Sequence, residues 1–273
     1  MSHAASMPHR PRPPRPLPSR GPGPGDPAAP SRAAVGRRTR IGLAWQFLGR
    51  GGEQGVRLLA YLVLARLLPP EDFGLVGMAT TGLAVADAVA FVGTDQAVMA
   101  HRDGRRPRFV ATAWFLALVR AVLLAAVLAL LAAPLARWYG QPEATAIFLA
   151  VALQPLLTAL AHPGAFVPLR ELRFGAWTST RLIATTVGTA ATIALAIALH
   201  SVWALVLGHL ATTALVSLAS HVVTPRRLRV APWPTRRHLR RLLRFSSGAV
   251  GIPVLIMLIL QAPVLLIGPT LGP

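Results

Sequence analysis

The chain has 273 residues, of which 53% are hydrophobic and only 14% charged, and its mean hydropathy is +0.53. A soluble domain of this size needs about a quarter charged residues to cover its surface, so the composition excludes a soluble fold and indicates an integral membrane protein. The 28 basic residues, all arginines, outnumber the 9 acidic ones. They cluster between apolar stretches and build no folded basic face, which argues against nucleic-acid binding.

Residues 1–40 differ from the rest of the chain. This segment is rich in proline, glycine and arginine and has no apolar periodicity. Such a composition cannot bury enough apolar surface to fold. The sequence therefore predicts a disordered cytoplasmic tail over residues 1–40.

Seven stretches are predicted to cross a bilayer as helices, since a span needs about 20 mostly apolar residues. They are residues 43–68, 73–99, 109–133, 144–167, 177–199, 202–223 and 246–267. The first is the weakest by hydropathy because it carries Arg50, Glu53, Arg57 and Arg66. The predicted fold is thus an all-α bundle of about seven transmembrane helices.

The arginines between these stretches set the predicted topology. When the arginines of the tail and of every second loop are added together, 22 lie on one side of the membrane. One lies on the other side, and the remaining five lie within spans. Arginine-rich loops remain in the cytoplasm, beside the anionic inner leaflet. We therefore expect a multi-pass protein of the cytoplasmic (inner) membrane with its amino terminus inside. Residues 41–223 form a first lobe of six helices, 224–244 a basic cytoplasmic linker, and 245–273 a seventh helix that begins a second lobe.

Charged residues in the first predicted span share one helical stripe. Arg50, Glu53 and Arg57 are three and four residues apart, which places them on the same face of a helix. Two interpretations remain open. In one, the stripe forms a polar wall of a transport cavity. In the other, Glu53 pairs with both arginines, which lowers the cost of inserting the helix into the membrane.

Arg120 lies near the middle of the third span, without an acidic neighbour in sequence. An arginine at that depth lines a hydrated cavity or pairs with an acid of another helix. Asp87, near the middle of the second span, is the expected partner. Arg50, Glu53, Arg57, Asp87 and Arg120 are the candidate substrate-cavity residues.

Motifs for catalysis or metal binding are missing from the sequence. It contains no cysteine, no GxSxG, Walker A or HExxH motif, and no histidine pair spaced i, i+4. The sequence thus predicts no catalytic residue, no metal site and no cofactor, and we expect a protein that is not an enzyme.

Five short segments follow one another in the order and spacing of a known family. The first is the turn between helices one and two, ARLL at 65–68 followed by PEDFG at 70–74. The others are G with QA at 93 and 96–97, WYG at 138–140, LRELRF at 169–174 and LLIGPTLGP at 265–273. Over residues 41–273 the chain thus resembles the bacterial oligosaccharide and polysaccharide flippases of the multidrug/oligosaccharidyl-lipid/polysaccharide exporter superfamily.

The resemblance implies a transporter that flips an undecaprenyl-pyrophosphate-linked oligosaccharide across the cytoplasmic membrane for surface-polysaccharide biosynthesis. It implies two helical lobes around a hydrated, cationic cavity. This sequence departs from the family at Phe91, where a polar or acidic residue is expected, and at Pro273, beyond which the family continues with as many helices again. We therefore expect only the amino-terminal half, with a second half-transporter as partner and no flipping by residues 1–273 alone.

Two alternatives to the flippase differ in the features they require. A multidrug or small-molecule antiporter of the same superfamily would favour acidic sites in the spans, where this chain offers little beyond Asp87. A membrane-embedded glycosyltransferase or polymerase would need a large outward loop or an acidic catalytic pair. The outward loops predicted here are short.

Overall fold

The computed structural model describes residues 32–171, 174–229 and 233–249. Every regular element in these ranges is helical. The helices are α1 (Arg32–Leu67), α2 (Pro70–Val89), α3 (Thr94–Ala100), α4 (Pro107–Trp138), α5 (Thr145–Val151), α6 (Gln154–Ala159), α7 (Val167–Arg170), α8 (Phe174–Leu199), α9 (Val202–Val223), α10 (Arg226–Arg229) and α11 (Arg236–Ala249). Short 3-10 turns at Pro142–Ala144 and Pro163–Phe166 precede α5 and α7.

Five helical segments in the described ranges are long and apolar enough to cross a membrane. They are Pro70–Val89, Pro107–Trp138, Pro142–Ala159, Phe174–Leu199 and Val202–Val223. This confirms the all-α membrane protein and matches five of the seven predicted spans. The span at 246–267 lies outside the described residues apart from the end of α11, so the count of seven stays a prediction.

Helix α1 corrects the predicted boundary of the tail. It has 36 residues and begins at Arg32, within the segment predicted to be disordered. The physical reason is that no proline interrupts the chain between Pro30 and Pro69, so the helix continues in both directions. At 1.5 Å per residue it is about 54 Å long and exceeds the roughly 30 Å hydrocarbon core. Residues 1–31 lie outside the described residues.

Two predicted spans are broken in the structure. The span at 73–99 divides into α2 and α3 at Gly93, whose left-handed φ of 62° stops a right-handed helix. The span at 144–167 divides into short pieces around Pro155 and Pro163, because a proline has no backbone N–H to donate. The 3-10 turn that begins at Pro163 is capped by the side chain of His162, which accepts a hydrogen bond from the backbone N–H of Gly164.

Glycines set the closest helix contacts of the bundle. Helices α8 and α9 form an antiparallel hairpin, and a Cβ added to Gly188 would lie 2.4 Å from the hydroxyl oxygen of Thr212. In the same way, a Cβ on Gly208 would lie 2.3 Å from the hydroxyl oxygen of Thr192. Small residues therefore allow the two backbones to approach each other, as is typical of membrane helices. Helix α1 packs along the other side of α8, and α4 packs against α2, α5 and α6.

Candidate functional site

The charged stripe of α1 adopts a different pairing from either of the two interpretations. Glu53 Oε1 lies 2.9 Å from Arg181 Nε of α8, so its partner is on the neighbouring helix. Arg50 and Arg57 are exposed, and neither has a carboxylate within 4 Å in the part of the chain that the structure describes. Glu53 thus fixes α1 to α8 and leaves two guanidiniums available on the surface of α1.

Arg120 and Asp87 are in contact. Arg120 Nη2 lies 2.5 Å from Asp87 Oδ1, and Arg120 Nη1 lies 3.4 Å from the carbonyl oxygen of Ala90. Ala90 caps the carboxyl end of α2, where backbone carbonyls lack helical partners. The arginine therefore joins α4 to the point at which the second span is broken, and a cation there is favoured by the α2 dipole.

The five predicted residues do not form one ion-paired cluster. Among residues 32–171, 174–229 and 233–249, no salt bridge links the α1 stripe to the Asp87–Arg120 pair. Three of the five residues are therefore ion-paired, Asp87 with Arg120 and Glu53 with Arg181, and Arg50 and Arg57 form an exposed cationic face. Whether these residues line a substrate cavity stays a prediction.

Asp103 forms a charged cluster that the sequence analysis did not identify. Its carboxylate is 4% exposed and lies 3.1 Å from Arg106 Nε and 2.5 Å from Arg241 Nη1 of α11. Burial by itself raises the pKa of Asp103, but the nearby positive charges, first Arg106 and Arg241 and then His101 and Arg102, hold the pKa below its usual range. The only local signal is that Asp103 is the one acid in the run HRDGRRPR.

Loops from three parts of the chain meet around Asp103. Arg170 donates to the carbonyl oxygen of His101, and Arg105 Nη2 lies 3.3 Å from Glu171 Oε1. Two further contacts join the α3–α4 loop to the amino-terminal ends of α4 and α11, since His101 and His238 both pack on the ring of Phe109. These contacts close one end of the bundle, the end predicted to be cytoplasmic.

The family model for polysaccharide biosynthesis proteins matches residues 63–273, more than three quarters of the chain. The chain belongs to the polysaccharide biosynthesis protein family. This confirms the resemblance at the level of the family, and all the candidate residues except those of the α1 stripe lie within the matched range.

One curated protein is also similar to this chain. The succinoglycan biosynthesis transport protein ExoT of Rhizobium meliloti (strain 1021) is 26% identical over 230 residues, which is 84% of this chain and 46% of ExoT. The chain thus spans about half the length of the curated relative that it matches. No solved structure matches it.

His162 belongs to an aromatic cluster at the break in the fourth span. Its ring lies 4.8 Å from that of Trp114 and 5.6 Å from that of His221. The backbone N–H of His162 donates to the hydroxyl of Ser220, and His221 Nε2 lies 2.9 Å from the carbonyl oxygen of Leu160. The cluster therefore satisfies backbone groups at this break. Its rings come from three separate segments of the chain, so the sequence alone gives no signal of it.

Proposed function

We propose that this protein is the first lobe of a transporter that moves an oligosaccharide linked to undecaprenyl pyrophosphate across the cytoplasmic membrane for surface-polysaccharide biosynthesis. The observation that carries the proposal is the exposed pair Arg50 and Arg57 on α1, in a chain of the polysaccharide biosynthesis protein family. A guanidinium at membrane depth needs an anionic partner or a hydrated cavity. The diphosphate of a lipid carrier is such a partner.

The chemistry of arginine suits this substrate class. Its planar fork of N–H donors forms bidentate hydrogen bonds with phosphate oxygens, and its charge persists at every physiological pH. The prenyl chain would remain in lipid beside α1, whose large apolar side chains are exposed at Phe47, Leu58 and Leu62. The similarity to a protein named for transport in succinoglycan biosynthesis supports movement of the carrier over chemical conversion.

Alternating access would provide the movement. Two lobes rock against each other around a site at their interface. In this proposal the helices α1 to α9 are the first lobe, the exposed face of α1 is its half of the site, and the apolar stretch 246–267 begins the second lobe.

The proposal includes an inner-membrane location with the amino terminus in the cytoplasm. Its support is the distribution of 22 arginines to one side against one on the other. Reporter fusions at residues 105 and 235 should give cytoplasmic signals, and a fusion at residue 140 should give an external one. A cytoplasmic signal at residue 140 would contradict the topology.

Binding of the carrier tests the substrate class. The chain in lipid nanodiscs should bind an undecaprenyl-pyrophosphate-linked sugar in preference to undecaprenol, which lacks the phosphates. The R50Q/R57Q variant should lose about tenfold or more in affinity, since a hydrogen bond to a charged group contributes ~1.5–3 kcal/mol. The control is R137Q, which removes an exposed arginine from the last turn of α4 and should bind normally.

Two results would contradict the proposal. Equal affinity for undecaprenol would show that the diphosphate is not recognised, and would favour an exporter of other small molecules. Equal loss in R50Q/R57Q and in R137Q would show that the arginines act only through total charge.

A further inference from the structure

The contacts of helix α11 with α4 indicate its depth relative to the membrane. Near its amino-terminal end, the backbone N–H of Thr235 lies 3.3 Å from the hydroxyl oxygen of Thr112. Thr112 is five residues, about 8 Å, from the start of α4. Helix α4 has 32 residues, whereas a span needs only about 20. If the extra length is shared equally, the helix extends about 9 Å beyond the hydrocarbon core at each end. The carboxyl-terminal end of α11 runs into the apolar stretch 246–267. If α4 and the stretch 246–267 cross the bilayer as predicted, both ends of α11 lie at headgroup depth.

One face of α11 is fixed to the bundle. Leu242 is 1% exposed and His238 is buried, and both contact the cluster around Phe109. Arg241 on the adjoining side reaches Asp103. These contacts set the rotation of α11 about its own axis and direct its remaining arginines away from the bundle.

The opposite face carries exposed positive charge. Arg236, Arg237 and Arg240 are exposed and line one recess with other arginines of α11. Residues 224–244 contain no acid that would neutralise them. Trp233, three residues before the helix, is 90% exposed, and exposed tryptophans are enriched at membrane interfaces.

We propose that the exposed face of α11 is a binding surface for the phosphate groups of anionic phospholipids in the cytoplasmic leaflet. Three features favour anionic phospholipid as the ligand: the depth inferred for the helix, the exposed arginines without an acidic neighbour in residues 224–244, and the exposed Trp233. Arginines at such a surface are attracted to anionic headgroups. This surface is separate from the exposed arginines of α1, and its binding does not depend on which substrate is transported.

Lipid binding by the full chain tests this surface. The detergent-solubilised protein would be titrated with fluorescent phosphatidylglycerol and, separately, with phosphatidylcholine carrying the same label. We expect clear selectivity for phosphatidylglycerol. The R236Q/R237Q/R240Q variant should bind it about 100-fold more weakly, at about fivefold for each arginine, while the matching R→K variant should retain most of the affinity.

A charge-matched control separates a local surface from total charge. The R10Q/R12Q/R15Q variant removes three arginines from the proline-rich segment and should keep full selectivity. Equal losses in this control and in the α11 variant would overturn the proposal, as would unchanged binding by the α11 variant. Wild-type protein without selectivity for phosphatidylglycerol would also overturn it, and would leave the arginines to a soluble acidic partner. Circular dichroism of each variant verifies that the helices are intact.

Discussion

The ion pair between Asp87 and Arg120 can be tested by a double-mutant cycle. Asp87→Asn leaves a guanidinium at membrane depth, and Arg120→Gln leaves a carboxylate there. A charge in the middle of a membrane helix costs ~2.5–3.5 kcal/mol on insertion scales.

Each single substitution should therefore reduce the free energy of unfolding by ~2–3 kcal/mol. The double variant D87N/R120Q has no uncompensated charge and should lose ~2 kcal/mol less than the sum of the two single losses. Unfolding in mixed detergent micelles, followed by circular dichroism, measures all three values. Additive losses would refute the pairing.

The exchanged variant D87R/R120D then separates a structural role from a substrate role. If the pair only joins α2 to α4, the exchange restores both stability and binding of the diphosphate carrier. If Arg120 contacts the substrate, stability returns while carrier binding stays weak. Failure to recover stability in the exchanged variant would mean that the Arg120 contact with the end of α2, and not the ion pair, is the main interaction.

Three further results are expected. Gly188→Ala should destabilise the protein by ~1–3 kcal/mol through overpacking against Thr212. The control Gly82→Ala, at a site with nothing within 4 Å, should be neutral or stabilising by up to ~1 kcal/mol. Thermal unfolding in detergent distinguishes the two variants, and equal effects would contradict the close approach of α8 and α9. Burial lowers the pKa of His238 more than Asp103 raises it, with nearby arginines lowering it further, so its stabilising contribution is present above about pH 6.5 and is lost as the pH falls below that value. The unfolding midpoint should thus fall between pH 7.5 and 5.5 by less in H238Q than in the wild type. Raising salt to 1 M, where the Debye length is about 3 Å, should release phosphatidylglycerol from α11 and affect carrier binding at α1 much less.

Hydropathy predicted the simplest helices well. The span at 202–223 has the same limits as α9, and the span at 177–199 lies within α8. The reason is local, because Ser201 caps α9 by accepting a hydrogen bond from the N–H of Trp203 and apolar residues continue without proline. The same method missed the break at Gly93, since mean hydropathy does not report the backbone conformation of a single residue.

The polar contacts were predicted only where one physical rule limited the choice. Arg120 needed an acid at similar depth, and Asp87 was the obvious one in the preceding span. Glu53 had two arginines on its own helix, yet pairs with Arg181 of α8. Asp103 pairs with Arg241, 138 residues further along the chain. Such partners depend on how the helices pack, which a single sequence does not specify.

The excess of arginine over acidic residues gives the exposed arginines of α1 and those of α11 a common explanation. Within the described residues, four acids each bind an arginine from another segment: Glu53, Asp87, Asp103 and Glu171. With 9 acidic residues for 28 arginines, most of the positive charge cannot be neutralised inside the protein. If α1 lies at membrane depth and α11 at headgroup depth, as proposed above, their exposed arginines need anions supplied by the surroundings. Lipid phosphates are anions available at both depths, so the shortage of acidic side chains supports both proposals, a diphosphate carrier at α1 and phospholipid at α11.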